Sequence, residues 1–192
     1  MEACGGRQIE TMDEQRLWAP WRMSYIAGDK SAETTAQEPI AWLPGAEHSC
    51  FICKAAAAYA DEAAARRQNL VLEVSNHTIT LLNLYPYNNG HLLVSPRRHV
   101  GEFHELTDAE HLEAIKSLSH YTQLFRELIR AEGFNIGLNL GRPGGAGVPG
   151  HLHWHLVPRW SGDNNFMPVT SDSRIISQSL QELWEAIVKA GN

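Results

Sequence analysis

The most informative segment of this chain reads His151-Leu152-His153-Trp154-His155-Leu156-Val157. Alternate side chains of a β-strand point to opposite faces of the sheet. The segment therefore predicts a strand that places Leu152, Trp154 and Leu156 against a core and three histidines on the other face. At a rise of roughly 3.3 Å per residue, the imidazoles would lie about 6.5 to 7 Å apart. A surface strand has little use for such a row, so we interpret the histidines as functional rather than incidental.

Two chemistries use a row of imidazoles. A His-x-His pair binds zinc with a third ligand from elsewhere and leaves an open position for water. Alternatively, the central imidazole acts as a nucleophile, while its neighbours fix its tautomer and supply a proton to the leaving group. The preceding residues 141–150 contain five glycines, whose N–H groups can approach a phosphate closely. Together with Arg142 and Arg159, this loop favours a phosphoryl substrate.

The rest of the chain has the spacing of a mixed α and β protein. Thr107 opens a capping box with Glu110, and the apolar positions that follow predict a long amphipathic helix ending by Gly133. The apolar face of that helix consists of Leu112, Ile115, Leu118, Thr122, Phe125 and Leu128. Apolar segments separated by turn residues predict an antiparallel meander. In chain order, the remaining predictions are a helix over 54–67, strands over 70–74, 78–84, 91–94, 134–140 and 151–158, and a helix over 174–189.

The composition is that of one globular domain with extensions: 192 residues, 43% hydrophobic and 20% charged. The net charge of −6 disfavours nucleic acid as a partner, so an anionic substrate needs a local basic site. No apolar run reaches the roughly 18 residues of a membrane helix. The acidic beginning of the chain lacks the apolar block of a secretory signal. These features predict a cytoplasmic protein with no membrane partner.

The histidine segment resembles the signature of the histidine triad (HIT) family of nucleotide hydrolases and transferases, in which three histidines alternate with apolar residues. The likeness extends over about residues 50–166. Within the family, the segments 17–22, 83–88 and 157–166 are similar to the bacterial dinucleoside polyphosphate (diadenosine tetraphosphate) phosphorylase branch. The resemblance implies an α+β, HIT-like fold: a five-stranded antiparallel sheet with a long amphipathic helix and a C-terminal helix. It also implies a homodimer formed through the long helix and an adjoining strand.

On this basis the chain divides into an N-terminal extension (1–45), a HIT domain (46–170) and a C-terminal helix (171–192). The extension holds Leu17-Trp18-Ala19-Pro20-Trp21-Arg22, whose two tryptophans are costly to leave in water. We expect this segment to dock on the body of the protein or on a partner subunit.

The resemblance also assigns roles to individual residues. His153 would be the catalytic nucleophile, and His155 would assist the leaving group. Asn83 corresponds to a ribose contact and Asn139 to a contact with the phosphate or on the side of the nucleophile. The other nucleotide or phosphate contacts that it implies are Gly145, Ala146, Gly147 and Trp160. Where the hydrolases of the family carry Gly-Gln-Ser/Thr-Val, this chain has Gly145-Ala146-Gly147-Val148, so main-chain N–H groups would replace side chains and leave room for an inorganic phosphate acceptor.

The second motif is the pair Cys50-x-x-Cys53. Its spacing alone leaves open a metal half-site, a redox pair and two buried thiols that merely pack. The resemblance implies that these cysteines join His99 and His151 in a closed, structural zinc site. The remaining histidines, His48, His77, His91, His104, His111 and His120, are interpreted as surface or packing residues.

The leading hypothesis is an enzyme that cleaves the phosphoanhydride of dinucleoside polyphosphates, such as diadenosine tetraphosphate, through a nucleotidyl-His153 intermediate. Inorganic phosphate is the expected acceptor, which makes the enzyme a phosphorylase. One alternative is a HIT hydrolase that uses water on dinucleoside polyphosphates or nucleoside phosphoramidates. Two others are a non-catalytic nucleotide-binding protein, which the intact histidine row disfavours, and a hydrolase with catalytic zinc on His151 and His153.

Overall fold

An antiparallel sheet of five strands, in the order β1-β2-β3-β5-β4, organises the part of the chain that the computed structural model describes, residues 37–163 and 178–191. In chain order the elements are α1 (Phe51–Ala55), α2 (Glu62–Gln68), β1 (Val71–Val74), β2 (Thr78–Leu82), β3 (Leu92–Pro96), α3 (Asp108–Leu128), β4 (Gly133–Leu138), β5 (Trp154–Arg159) and α4 (Leu180–Gly191). Single 3-10 turns occupy Phe103–Glu105 and Arg142–Gly144. The predicted α+β fold is confirmed. Among the described residues, no helix has the length and apolar character needed to span a bilayer.

The histidine strand β5 lies inside the sheet. It pairs with β3 on one side, where Leu93 faces His155, and with β4 on the other, where Gly137 faces His155. The meander β1-β2-β3 has the consecutive pairing that the sequence predicts. Because hydrogen bonds hold β5 from both sides, the side chains it carries are fixed in direction.

Helix α3 packs its buried face on the sheet, against Trp154 and Leu156 of β5. The predicted apolar face was only partly right. Leu118 and Phe125 are buried, as expected, but Leu112 and Ile115 are more than half exposed. The buried stripe is Ala114, Leu118, Tyr121 and Phe125, because the helix is rotated so that the small Ala114 meets the sheet. An apolar edge is thereby left on the outside.

Most predicted strands agree with the structure to within two residues, but two predicted spans differ by more. The alanine-rich segment 54–67 is not one helix but the pair α1 and α2, because Ala58 leaves the helix to exchange hydrogen bonds with the chain near Ala41. Asp61 then caps α2 by accepting the N–H of Ala64 at 3.0 Å. A tertiary bridge and a cap thus override the helix propensity of alanine. The strand predicted over 151–158 begins only at Trp154.

The last helix is described from Leu180 onward, and residues 174–177 of its predicted span lie outside the described residues. So does the tryptophan-containing segment 17–22. The division of the chain into extension, HIT domain and C-terminal helix stays a prediction.

The predicted capping box of α3 is present and is tied to the loop after β3. Glu110 accepts the N–H of Thr107 at 2.8 Å, and Thr107 accepts the N–H of Glu110 at 3.3 Å. The buried Glu110 carboxylate also accepts two hydrogen bonds from Arg98, at 2.6 and 3.0 Å. These contacts, led by the Arg98 guanidinium, lower the pKa of Glu110 to about 2.

Glu110→Gln should destabilise the fold by about 1 to 3 kcal/mol at neutral pH, because it leaves Arg98 without its carboxylate and weakens the cap. Since the folded-state pKa is lowered from 4.5, the stabilisation is complete above that value and is lost as the pH falls toward 2. The deficit of the variant in urea unfolding should therefore shrink between about pH 5 and pH 2. Glu182→Gln, on an exposed side chain of α4, is the matched control. A deficit independent of pH would contradict the assignment.

Candidate active site and metal centre

The three histidines of the segment keep their alternation but divide between two sites. Leu152, Trp154 and Leu156 lie in the core with α3, as predicted. The row is not an open face, however, because His151 is fully buried and His153 nearly so, while His155 is partly exposed. The rings of His153 and His155 lie 5.0 Å apart, and that of His151 turns toward the two cysteines.

His153 is held in one tautomer by the main chain. Its Nδ1 lies 2.8 Å from the carbonyl oxygen of His151. A carbonyl oxygen only accepts, so Nδ1 carries the hydrogen and Nε2 carries the lone pair. Burial lowers the pKa of His153, against the opposing effect of this hydrogen bond. The result is a neutral imidazole with a defined nucleophilic nitrogen.

His155 has a different environment. Its Nδ1 lies 2.9 Å from Nε2 of His91, and its Nε2 lies 3.4 Å from Nδ2 of Asn139. Burial, with a smaller contribution from His153, lowers the pKa of His155 to about 4. Both imidazoles at this site are therefore neutral near pH 7.

The site contains His91, whose contact with His155 the sequence did not predict. His91 is fully buried, and its ring stacks on Tyr87 at 4.7 Å. Its only sequence signal is its place at the start of the predicted strand 91–94, which does not show that β3 pairs with β5. The pairing of Leu92 with Leu156 brings His91 beside His155.

Asn83 and Asn139, the predicted contacts for ribose and phosphate, both lie at the histidine site. Asn83 accepts the N–H of Tyr85 at 3.0 Å and donates to Nδ1 of His91 at 3.2 Å. Asn139 reaches from the end of β4 to His155 and to the carbonyl oxygen of Gly145, each at 3.4 Å. Asn139 thus connects the histidine strand β5 to the glycine-rich loop.

The glycine-rich loop offers fewer free donors than its composition suggests. The N–H of Gly145 donates to Arg142 and that of Ala146 donates to Gly141. Among the predicted phosphate contacts 145–147, Gly147 alone has an N–H without an acceptor in the described part of the chain. Of these three positions, Gly147 is therefore the one whose N–H remains available to an anion.

Arg142 and Arg159, the two cations predicted near the phosphate, differ in whether they are available to bind an anion. Arg159 is held by both oxygens of Asp163, at 2.6 and 2.8 Å, and by Asn135, so it fixes the chain after β5 rather than attracting an anion. Arg142 is exposed in its 3-10 turn. Trp160, a predicted nucleotide contact, donates its indole N–H to Ile129 at the end of α3. It lies five residues, about 16 Å of strand, beyond His155.

Cys50, Cys53, His99 and His151 form one compact cluster. Cys50 caps α1, Cys53 lies within it, His99 follows β3 and His151 precedes β5. One ligand atom from each of the four lies within 4.8 Å of every other. Nδ1 of His151 is 3.3 Å from Sγ of Cys50 and 3.4 Å from Sγ of Cys53, and Nδ1 of His99 is 3.2 Å from Sγ of Cys53. The four residues predicted from the sequence therefore do meet.

Close backbone packing makes this meeting possible. A Cβ on Gly101 would lie 2.6 Å from the carbonyl oxygen of Pro149, and one on Gly150 would lie 3.1 Å from Nε2 of His99. The loop before the histidine segment can press against His99 only because both positions are glycine. Gly150, the last glycine of the glycine-rich loop, thus serves packing rather than phosphate.

The chemistry of the cluster fits a tetrahedral metal ion. Nε2 of His151 lies 2.9 Å from the carbonyl oxygen of Pro96, so Nε2 carries the hydrogen and Nδ1 turns its lone pair to the sulfurs. Tetrahedral zinc with two sulfur and two nitrogen ligands needs ligand separations of about 3.3 to 3.8 Å. Burial raises the pKa of Cys53 to about 11, so its thiolate needs a cation. Two thiols and two imidazoles leave no open position, which is typical of a structural site.

The fold and the two sites together define a class: an α+β protein with a five-stranded antiparallel sheet that places a neutral histidine pair beside a closed metal-binding cluster. The family model of the HIT domain matches residues 65–162. An "AP-4-A phosphorylase" of Mycobacterium tuberculosis is 36% identical over 173 residues, which is 88% of this chain and 80% of that protein. The chain belongs to the histidine triad family, and this relative matches the phosphorylase branch that the sequence resembles.

Solved structures agree on the fold. The NitFhit protein of C. elegans superposes with a TM-score of 0.52 at 25% identity, over 62% of this chain and 27% of that chain. A zinc-bound histidine triad family protein from Mycobacterium smegmatis superposes with a TM-score of 0.52 at 22% identity, over 63% of this chain and 82% of that chain. At such identity these structures support the architecture and not a particular substrate.

Proposed function

We propose that this protein is a dinucleoside polyphosphate phosphorylase that works through a nucleotidyl-His153 intermediate. The observation that carries the proposal is the 2.8 Å contact between Nδ1 of His153 and the carbonyl oxygen of His151, which leaves Nε2 as a nucleophile. The related AP-4-A phosphorylase supports the choice of substrate. The predicted cytoplasmic location is consistent with a nucleotide substrate.

In the first half-reaction, Nε2 of His153 forms a bond to the α-phosphorus and the bond to the leaving nucleoside polyphosphate breaks. The imidazole becomes cationic, and its Nδ1–H donates more strongly to the carbonyl of His151. In the second half-reaction, an oxygen of inorganic phosphate attacks the phosphorus and the P–N bond breaks. Diadenosine tetraphosphate would thus give ATP in the first step and ADP in the second.

The acceptor site is the glycine-rich loop. Ala146 and Gly147 carry neither the amide nor the hydroxyl found at these positions in the hydrolases of the family, so space remains for a free anion. The N–H of Gly147 and the exposed Arg142 are the donors we assign to the phosphate.

Diadenosine tetraphosphate with phosphate should yield ADP and ATP, at a rate that rises and saturates with phosphate. Radiolabelled phosphate should appear in the β position of ADP, which chromatography resolves from AMP. Chloride at the same ionic strength is the control. AMP and ATP at an unchanged rate, with millimolar phosphate present, would assign the protein to the hydrolases, and binding without any product would make it a nucleotide-binding protein.

We extend the proposal to a structural zinc in the Cys50, Cys53, His99 and His151 cluster. When bound, zinc would cross-link α1 to the segments before β5 and after β3, without taking part in the reaction.

We also propose a homodimer. It is supported by the apolar side chains that α3 and the edge strand β4 leave exposed, namely Leu112, Ile115 and Ile136.

A further inference from the structure

A tight turn follows β5 and brings Asp163 back beside the end of that strand. The N–H of Asp163 donates to the carbonyl oxygen of Trp160 at 3.1 Å. Gly162, the third residue of the turn, has a φ of +77°, which glycine adopts without steric cost. The turn therefore places the Asp163 side chain, which is only 8% exposed, against the residues that precede it.

The carboxylate of Asp163 is held from several directions. Arg159 donates to its two oxygens at 2.6 and 2.8 Å, and the N–H of Trp160 donates to it at 3.2 Å. These contacts, led by the Arg159 guanidinium, lower the pKa of Asp163 to about 2. At neutral pH the side chain is therefore an ionised acceptor in a fixed position, and hydrogen bonds to such an acceptor are stronger than those between neutral groups.

Asn88 donates to this acceptor from a different part of the chain. Its Nδ2 lies 2.9 Å from the Asp163 carboxylate and 3.1 Å from the carbonyl oxygen of Pro158. Asn88 belongs to the loop 83–91, which connects β2 to β3. Both hydrogens of the Asn88 amide group thus attach this loop to the end of β5.

The loop has a defined internal shape. The side-chain oxygen of Asn83 accepts the N–H of Tyr85 at 3.0 Å. The carbonyl oxygen of Asn88 accepts the N–H of His91 at 3.2 Å. Because these bonds lie within the loop, the loop can shift against β5 as one unit while they stay intact.

Two features set the position of the loop against β5. A Cβ on Gly90 would lie 3.0 Å from Cγ of Pro158 and 3.1 Å from Cδ1 of Ile129, so the main chain rests directly on these side chains. Apolar packing has no preferred direction, whereas a hydrogen bond weakens steeply when its angle changes. Packing at Gly90 therefore fixes the depth of the loop, and the Asn88 hydrogen bonds fix its lateral position.

That lateral position matters for Asn83, which lies in the same loop. The Asn83 oxygen uses one lone pair for the N–H of Tyr85 and keeps a second for a hydroxyl donor. A hydrogen bond to a ribose hydroxyl needs a donor-to-acceptor distance of about 2.7 to 2.8 Å. A shift of the loop by about an ångström would therefore remove the ribose contact predicted for Asn83.

We propose that Asn88 and Asp163 are positioning residues that hold the loop 83–91 in the register at which Asn83 selects ribose over 2′-deoxyribose. The inference rests on the proposed function, since it concerns the sugar of the same nucleotide substrate. It predicts that a change at Asn88, although Asn88 does not contact the sugar itself, alters sugar selectivity. A purely structural role would instead affect ribose and deoxyribose substrates equally.

The kinetic test compares diadenosine tetraphosphate with its bis(2′-deoxy) analogue. In Asn88→Ala, the preference for the ribose substrate, measured as the ratio of kcat/KM values, should fall about fivefold, the contribution of one neutral hydrogen bond. The loss should come from a higher KM for the ribose substrate, with kcat within about threefold of the parent. Asn135→Ala is the matched control, because it removes another contact of Arg159 outside the loop, and it should keep the preference.

A double-variant cycle tests whether the two residues act through their mutual contact. Asp163→Ala should lower the ribose preference about as much as Asn88→Ala does. The double variant should lower it no further, because residues that share one interaction have non-additive effects. Losses of preference that multiply in the double variant would contradict the proposal.

Two measurements are independent of turnover. The amide hydrogens of Tyr85 and His91 should exchange at least about tenfold faster in Asn88→Ala, while that of Val94 in β3 stays unchanged. Calorimetry should show weaker binding of AMP in this variant and unchanged binding of 2′-deoxy-AMP. If neither dinucleotide is cleaved, the proposed function fails, and these measurements still test the inference. Unchanged exchange in the loop, or equal affinity of the parent for AMP and 2′-deoxy-AMP, would overturn it.

Discussion

His153→Ala should lower the turnover of diadenosine tetraphosphate by at least about 10⁴-fold and leave the fold and metal content unchanged. No neighbouring imidazole can take over its role. Both ring nitrogens of His155 have neighbours, Nε2 of His91 and Nδ2 of Asn139. His151 uses both nitrogens, one toward the cysteines and the other toward the carbonyl of Pro96. The reaction would lose its covalent intermediate.

The intermediate itself provides the sharper measurement. In the absence of phosphate, the unmodified protein quenched at alkaline pH should show a mass increase of one nucleotidyl group, and His153→Ala should not. His104→Ala removes an exposed imidazole from a 3-10 turn and should retain both the adduct and the turnover. Activity of His153→Ala within tenfold of the parent, or an adduct on another residue, would contradict the assignment.

The sequence could predict those features whose cause is local. Alternation from His151 to Leu156 places the apolar side chains of β5 in the core, and the Thr107 capping box sets the start of α3. Side-chain period and cap chemistry act over a few residues, so they can be read without knowing the fold.

Features that depend on tertiary pairing could not be predicted in this way. The contact between His91 and His155 joins residues 64 positions apart and depends on the register of β3 against β5. The side of α3 that meets the sheet depends on where Ala114 fits, so apolar spacing alone does not predict that Leu112 and Ile115 are exposed. Arg159 forms a salt bridge with Asp163, which lies in the chain after β5. The sequence does not show that these two residues pair.

The metal cluster has both a local feature and a tertiary one. The spacing of Cys50 and Cys53 is local, but Cys50 and His151 are 101 positions apart. The prediction that these cysteines and histidines form one site came from the family resemblance and not from their spacing. The close approach of Gly101 to Pro149 gives the physical reason why these distant ligands converge.

Cys50→Ser should abolish binding of zinc, which we expect at about one ion per chain in the unmodified protein, and should cost more than about 3 kcal/mol of stability. For a chain of this size that loss corresponds to a fall in Tm of about 6 to 12 °C. The cost is large because a closed site contributes its binding energy to folding, and because this cluster joins α1 to segments far apart in the chain. Elemental analysis and thermal unfolding, before and after treatment with a chelator, measure both effects.

Cys4→Ser is the matched control, since it removes a thiol from the chain without changing any of the four clustered ligands. It should retain the zinc and the Tm of the parent. In Cys50→Ser, turnover should fall together with zinc content. The reason is that His151 contributes its side chain to the cluster, while its carbonyl oxygen accepts the hydrogen bond from Nδ1 of His153. Less than a tenth of an equivalent of zinc in parent protein purified without chelator would reject the zinc site, and the buried cysteines would then be packing residues.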